Sequence, residues 1–383
     1  MEIALPRLFH EFFRNKKAGG LVLIFCTVVS LILANSPVQN VWLDFWHWEF
    51  AGNSIVHWIN DGLMAIFFLL IGLELEREIY TGELSSLKSA SLPFFGAVGG
   101  MLLPAGIFLL FNYGAPTQSG AGIPMATDIA FAIGILSLLG SRIPDSLKIF
   151  LTALAVMDDL GAIIIIAIFY TKTLIISNLF ISLAIFAALV GLNRLKVYNL
   201  LPYLLGGVAM WYFMLHSGIH ATIAGVLLAF AIPYGDGGVK SPSYIMQHVL
   251  HKPVDFIILP LFALANTGLI LGTGWYLGLG EPLTLGIILG LFLGKPLGIV
   301  LFSLLGVAFG LCSLPAGSGW KHLVGVGFLG GIGFTMSIFI TLLAFDQPML
   351  VNSSKIAILL ASSAAGLAGY FLLKSAALKN KSE

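Results

Sequence analysis

The chain has 383 residues, of which 58% are hydrophobic and 10% charged, and its mean hydropathy is +0.99. Soluble domains carry about 25% charged residues, so this composition excludes an ordinary soluble protein and predicts an all-α, polytopic membrane protein. A formal net charge of +1 gives no basic surface for nucleic acid. Two cysteines, Cys26 and Cys312, supply neither a disulfide framework nor a metal-binding pattern.

The N-terminus is basic and then apolar, like a secretory leader. No small-residue cleavage site follows and many apolar segments do, so it reads as a first span. A span needs about 20 mostly apolar residues. Twelve stretches qualify, at about 18–35, 54–75, 90–111, 121–140, 148–170, 174–192, 199–216, 218–234, 253–272, 284–310, 322–345 and 354–374. No long polar linker interrupts them, so a single integral membrane domain over 1–383 is expected. Charge orients it. With the N-terminus inside, Arg7, Arg14, Lys16, Lys17, Arg77, Lys88, Arg142, Lys148, Arg194, Lys196, Lys240, Lys252, Lys321, Lys374, Lys379 and Lys381 are cytoplasmic. Only Lys172 and Lys355 fall outside, and Lys295 lies within a span. That asymmetry is the positive-inside pattern and predicts both termini cytoplasmic.

Residues 38–53, VQNVWLDFWHWEFAGN, form the first outer loop. Trp42, Asp44, Trp46, Trp48 and Phe50 share one parity, which fits a short strand or hairpin. An interfacial aromatic belt accounts for the same residues and is the simpler reading. The second span carries Asn60 and Asp61, read as hydrogen-bonded near its outer end. Its inner end, IGLELEREIYTGEL, carries Glu74, Glu76, Arg77, Glu78 and Glu83. Glu74 and Arg77 can pair and Glu74 shares a face with Glu78. This is a solvated helix end, or a funnel drawing cations inward.

Residues 120–170 hold two apolar segments separated by a turn with Arg142, Asp145 and Lys148, and the apolar segments contain Asp128, Asp158 and Asp159. A carboxylate in hydrocarbon costs ~2.5–3.5 kcal/mol on insertion scales, so such residues mark an ion or proton site. The fourth span has Gly120, Gly122 and Pro124 just before Ala126-Thr127-Asp128. The eleventh has Gly325, Gly327, Gly330, Gly331 and Gly333 before Phe334-Thr335-Met336. Irregular backbone in a membrane is tolerated only inside protein or beside a water cavity, and two interrupted spans in corresponding halves point to a transport site. Close helix packing explains some of these glycines, but not Pro124 together with a buried aspartate.

Asp158 and Asp159 point about 100° apart on one helix, so one faces an ion and the other a partner. An ionised carboxylate is a hard ligand for a hard cation, and a desolvated one retains its proton. Competition between the two is the minimum machinery for exchange. A structural salt bridge would account for one aspartate only. Lys295, in LFLGKPLG, needs a counter-ion, and the aspartate pair offers one; structural pairing and proton transfer are both open. Asp128 is a ligand, an offset for the positive end of a half-helix, or both, and Thr127 adds a hydroxyl and a carbonyl. His216 and His220 in LHSGIH have metal-compatible spacing without the glutamate of a zinc protease motif, which favours capping over zinc. His248 and His251 can titrate near neutrality. An aspartyl protease would also need two buried aspartates, but leaves Lys295 and the double break unexplained, and YGDG at 234–237 lies in a loop. A passive proton channel is a third possibility.

The blocks ATDIAFAIGILSLLGSR, LTALAVMDDLGAIIIIAIFY, LHSGIHATIAGV, ILPLFALANTG, GKPLGI and GFLGGIGFTMSIFI resemble the bacterial NhaA sodium/proton antiporters, and the similarity spans essentially the whole chain. NhaA is itself a standard instance of an inverted-repeat transporter, so that architecture comes with the resemblance and not from spacing. The resemblance implies twelve helices, with inverted repeats at 90–170 and 284–374 whose interrupted spans cross near the midplane. It implies a periplasmic hairpin at 38–53 used in homodimerisation, overruling the belt. It implies electrogenic, pH-regulated expulsion of Na+ and Li+ from the cytoplasm across the bacterial inner membrane in exchange for H+, with no cofactor and no enzymatic activity. Asp159 matches the cation ligand, with Asp158 beside it as a proton carrier or ligand paired to Lys295. Asp128 and Lys295 match the groups that offset half-helix charges, with Thr127 in the same crossing. Glu74, Arg77, Glu78, His220, Gln247 and His248 fall at positions tied to pH response. Two residues depart from the pattern. Gln247 stands where a glutamate is expected and Glu76 where a lysine is, so the pH of activation is the property most open to change.

Overall fold

The computed structural model describes residues 16–170, 174–272 and 274–379. Arg7, Arg14, Lys172 and Lys381, used above to orient the chain, lie outside them. In chain order the helices are α1 (Lys16–Ala34), α2 (Gln39–His47), α3 (Met64–Tyr80), α4 (Leu87–Asn112), α5 (Ile129–Leu138), α6 (Asp145–Phe169), α7 (Ile176–Arg194), α8 (Leu201–Leu215), α9 (Ile223–Ala231), α10 (Pro242–Pro253), α11 (Leu259–Asn266), α12 (Pro282–Leu289), α13 (Lys295–Ala308), α14 (Trp320–Gly330), α15 (Phe334–Ala344) and α16 (Pro348–Lys379). Three wider π-helical turns, Trp58–Leu63, Val254–Ile258 and Gly290–Gly294, run directly into α3, α11 and α13.

The protein is a multi-pass membrane protein. Among the described residues eight helical runs are long and apolar enough to cross a membrane, rising to ten if two bent pairs each count as one span. The expected spans at 199–216 and 218–234 are occupied by α8 and α9, of 15 and 9 residues, shorter than the ~20 that a full crossing needs. The span expected from 253 begins earlier, at Pro242. Ser241 caps α10 by accepting the Tyr244 N–H, and Pro242 sits in the first turn, where its missing donor costs nothing. The helical run then continues past Pro253 through the π turn, at a place where the proline ring crowds the preceding turn.

The outer loop holds the expected hairpin over only part of 38–53. Residues 39–47 are helical, because Trp42 and Trp46 lie one turn apart and pack edge to face at 5.2 Å. The hairpin is confined to β1 (Glu49–Phe50) and β2 (Asn53–Ser54), paired antiparallel. Ala51 and Gly52 at its tip have φ of 52° and 87°, the two positive values a tight I′ loop requires.

The described residues divide into two compact units, one comprising those of 16–31, 86–162 and 269–379 and the other those of 32–85 and 163–268. In the first, α4 crosses α13 where Gly99 faces Gly298, and a methyl on either would run into the other's carbonyl oxygen. This absence of side chains lets two backbones touch, as small residues do between membrane helices. In the second, Leu69, Leu73, Leu189, Tyr203, Met210, Met214 and Leu228 form the buried core, and Gly225 lets α9 lie against the Ala65 carbonyl at the start of α3.

Gly298→Ala and Gly99→Ala should each lower the unfolding temperature in detergent, at a cost of roughly 1–3 kcal/mol from overpacking. Gly106→Ala on α4 has open space around it and should not, as differential thermal stability on purified variants would show.

Candidate ion site

Between 118 and 138 the backbone is helical only in part. Gln118–Met125 is a 3₁₀ segment containing Pro124, Ala126 is extended at φ −78° and ψ 150°, and α5 begins after Asp128. Proline and glycine cannot sustain an α-helix here. The second irregular stretch lies between α14 and α15, which meet at 44° across Gly331–Gly333.

These two breaks are stitched together by side chains. Asp128 caps α5, its Oδ1 accepting the Phe131 N–H at 2.9 Å. Its Oδ2 accepts the Thr335 N–H at 3.1 Å and the Thr335 hydroxyl, and its own N–H donates to Ile332 O at 2.6 Å. One buried carboxylate therefore serves the positive ends of α5 and α15 together. Thr127 Oγ1 lies 2.8 Å from both Asp158 Oδ2 and Gly330 O at the end of α14, so its one proton is shared between two acceptors.

Lys295 follows the π turn Gly290–Gly294, whose glycines pack tightly: a Cβ on Gly290 would stand 2.7 Å from Pro124 Cβ, and one on Gly294 3.0 Å from Pro104 Cα. Its ammonium is 2.7 Å from Asp158 Oδ2, and both side chains have no exposed surface. It also donates to Met125 O at the end of the 3₁₀ segment, a negative helix end that welcomes a cation. Asp158 Oδ1 is buried without a hydrogen bond. Asp159, equally buried, stands about 100° around α6. The structure thus brings together Asp158, Lys295 and Thr127, with Asp128 one residue further on, in one arrangement able to hold a proton or a small cation. Thr335, Gly330 O and Met125 O join them, Gly330 and Thr335 being marked in the sequence only by their place at the second break. Thr335 was legible only as a hydroxyl just past the second break, the counterpart of Thr127 at the first.

The family model described as Na+/H+ antiporter 1 matches residues 10–373. The chain belongs to this family. It is 65% identical over 367 residues, 96% of each chain, to the Na(+)/H(+) antiporter NhaA of Flavobacterium psychrophilum. It is 63% identical over 377 residues to NhaA 1 of Flavobacterium johnsoniae, covering 98% of this chain and 99% of the relative. Against NhaA of Dechloromonas aromatica the identity is 59% over 373 residues, 96% of each chain. Members of this antiporter family are transporters and not enzymes, which disposes of the protease alternative.

The residues that the antiporter resemblance ties to pH response fall in the second unit. Arg77 Nη1 donates to Gln247 Oε1 at 3.4 Å, and its guanidinium lies 5.2 Å over the Tyr244 ring. His248 stacks on the same tyrosine at 6.1 Å. Glu74 Oε1 is 3.5 Å from His251 Nε2. Glu78 accepts the Glu83 N–H at 2.9 Å, closing the end of α3. Glu76 is buried and accepts the Ser243 hydroxyl at 2.9 Å. His220 is elsewhere, 3.1 Å from Tyr170 O, and His216 bonds to Tyr212 O one turn back. Asp61 pairs with His57 at 3.1 Å.

Removing one partner of a buried ion pair costs about 3–5 kcal/mol, whereas removing both is often neutral. Lys295→Met should therefore be markedly less stable than the Lys295→Met/Asp158→Leu double variant, a coupling that a thermal double-mutant cycle would measure.

Proposed function

We propose that this protein is an electrogenic antiporter that expels Na+ and Li+ from the cytoplasm in exchange for H+, with proton and cation competing at Asp158 and Asp159. The observation that carries this is the fully buried Asp158–Lys295 pair, whose carboxylate keeps one oxygen without a hydrogen bond beside Asp159, in a chain of the Na+/H+ antiporter family. The Lys295 ammonium holds Asp158 by one oxygen. A cation between the two aspartates competes with that ammonium for the same oxygens. Its binding frees protons, and protons arriving from the other side free the cation.

When both carboxylates carry protons inward and one monovalent cation leaves, each cycle moves net positive charge inward. The membrane potential then helps drive sodium out, which supports pH and sodium homeostasis. Asp128, Thr127 and Thr335 keep the two breaks joined at the site, so the interrupted spans shift as one body in alternating access. The proposed topology has twelve crossings in the bacterial inner membrane, both termini cytoplasmic, and inverted repeats at 90–170 and 284–374. Most of both repeats belongs to one compact unit, which supports them as a common core within a single membrane domain. No resident cofactor takes part.

The hairpin exposes Trp48 at 66% and Phe50 at 65%, which supports its use between two copies in a homodimer. Regulation by pH is assigned to the cluster around Arg77, Gln247, Tyr244, His248, Glu74 and His251, with Glu78 closing the same helix end and His220 acting apart from it. Gln247 is neutral, so Arg77 has a hydrogen bond there in place of an ion pair, and Glu74–His251 is a contact of the cluster between two titratable groups.

In proteoliposomes with an acidic interior, addition of Na+ or Li+ should collapse the pH gradient and K+ should not. Asp159→Asn, shown to be folded by gel filtration, should lose this response by at least about 100-fold, the loss expected when an essential ligand of roughly 2.7 kcal/mol is removed. Wild-type exchange in Asp159→Asn would refute the assignment.

A further inference from the structure

Away from the ion pair, Ser303 Oγ on α13, His322 Nε2 on α14 and Ser318 Oγ in the loop before α14 are buried without a hydrogen-bond partner. Polar atoms are costly to bury dry, and in native proteins such atoms mark places for ordered water. Their positions are connected. A methyl on Gly96 would stand 3.5 Å from Ser303 Oγ and 3.0 Å from Leu154 Cδ1. One turn along α4 from Gly96 is Gly100, whose Cβ would stand 3.6 Å from Lys295 Cε. One turn along α6 from Leu154 is Asp158. Gly96, beside Ser303, and Leu154, beside Gly96, each lie one helical turn from a residue at the pair: Gly100 against the Lys295 side chain, and Asp158 itself.

His322 continues the same line. A Cβ on Gly331 would meet Leu291 O and one on Gly327 would meet Pro296, so α14 lies beside α13 and the π turn before it with the opposite chain direction. Ser303 is as far along α13 from Lys295 as His322 is back along α14 from Gly330, ~12 Å in each case. His322 Nδ1 accepts the Gly319 N–H at 3.2 Å. In the neutral ring this leaves the proton on Nε2, so the buried nitrogen is a fixed donor. Ser318 adjoins Gly319 and extends the line into the 309–319 loop.

We propose that Ser318, His322 and Ser303 line a hydrated branch that carries protons between the 309–319 loop and Asp158. It rests on the reading of Asp158 as a proton carrier and, in the proposed topology, opens to the cytoplasm. A proton leaving Asp158 is accepted by water at Ser303. As the Ser303 oxygen accepts a proton from one water it gives its own to the next, so one proton enters and one leaves. His322 keeps its Nε2 proton throughout and orders the water by donating to it.

The test measures Na+-driven proton flux and equilibrium Na+ binding for the full chain in proteoliposomes. Ser303→Ala and His322→Leu should each slow turnover about ten-fold, the size of one neutral hydrogen bond lost from the path, with Na+ affinity unchanged and a larger solvent deuterium isotope effect. His322→Gln, which keeps a donor without a titrating ring, should recover most of the rate. Wild-type turnover in Ser303→Ala, or failure of His322→Gln to improve on His322→Leu, overturns the proposal. Loss of Na+ binding in Ser303→Ala overturns it too, by making the role structural. Should His322→Leu not fold, Ser303→Cys in a Cys26→Ala/Cys312→Ala background decides: labelling by a small charged thiol reagent is expected, and protection in every state refutes the branch. Full exchange in Asp159→Asn would instead indict the aspartate pair and is read separately.

Discussion

An ammonium and a carboxylate, neither touching solvent, are held 2.7 Å apart between Lys295 and Asp158. Desolvating either alone would be prohibitive, and the pair is tolerable only with further hydrogen bonds to both. Thr127 and the Met125 carbonyl supply them, and both belong to the irregular stretch before α5. The broken backbone is therefore what satisfies the ion pair, and the ion pair is what makes a broken backbone tolerable at this depth. Such mutual dependence also makes the site responsive. Any cation or proton that draws Asp158 from Lys295 changes the bonding of Thr127 and, through Gly330 O, of α14.

Asp128 plays the complementary part. Helix ends inside a membrane carry unsatisfied donors and acceptors with the corresponding partial charges. Lys295 lies at a negative end and Asp128 at two positive ones, so the breaks are neutralised by residues fixed to the scaffold. The close crossing of α4 and α13 at Gly99 and Gly298 fixes where Lys295 stands. Precision here comes from backbone contact, where a side chain would leave slack.

The aspartates, the lysine and the first break were legible because each violates the rule that hydrocarbon excludes charge and irregular backbone. Thr335 was not, since its importance lies in a contact with Asp128 from a distant part of the chain. The π turn that presents Lys295 leaves no mark in the pattern of apolar residues. In the outer loop, Trp42 and Trp46 satisfy strand parity and helical spacing alike, and only the edge-to-face contact decides for helix. The early start of α10 was written in Ser241-Pro242, a cap and a first-turn proline, but its polar surface hid it from a search for hydrophobic spans. Nothing in the sequence sets His322 apart; only its burial shows a donor without an acceptor.

The central claim is that proton and sodium compete for one buried carboxylate pair. Its most direct test is the proton count when Na+ is added to purified protein in weakly buffered detergent solution. The account predicts proton release that saturates with Na+, occurs with Li+, fails with K+, and disappears in Asp158→Asn/Asp159→Asn. Saturable Na+ binding with no proton released, or release that survives in that double variant, would contradict it.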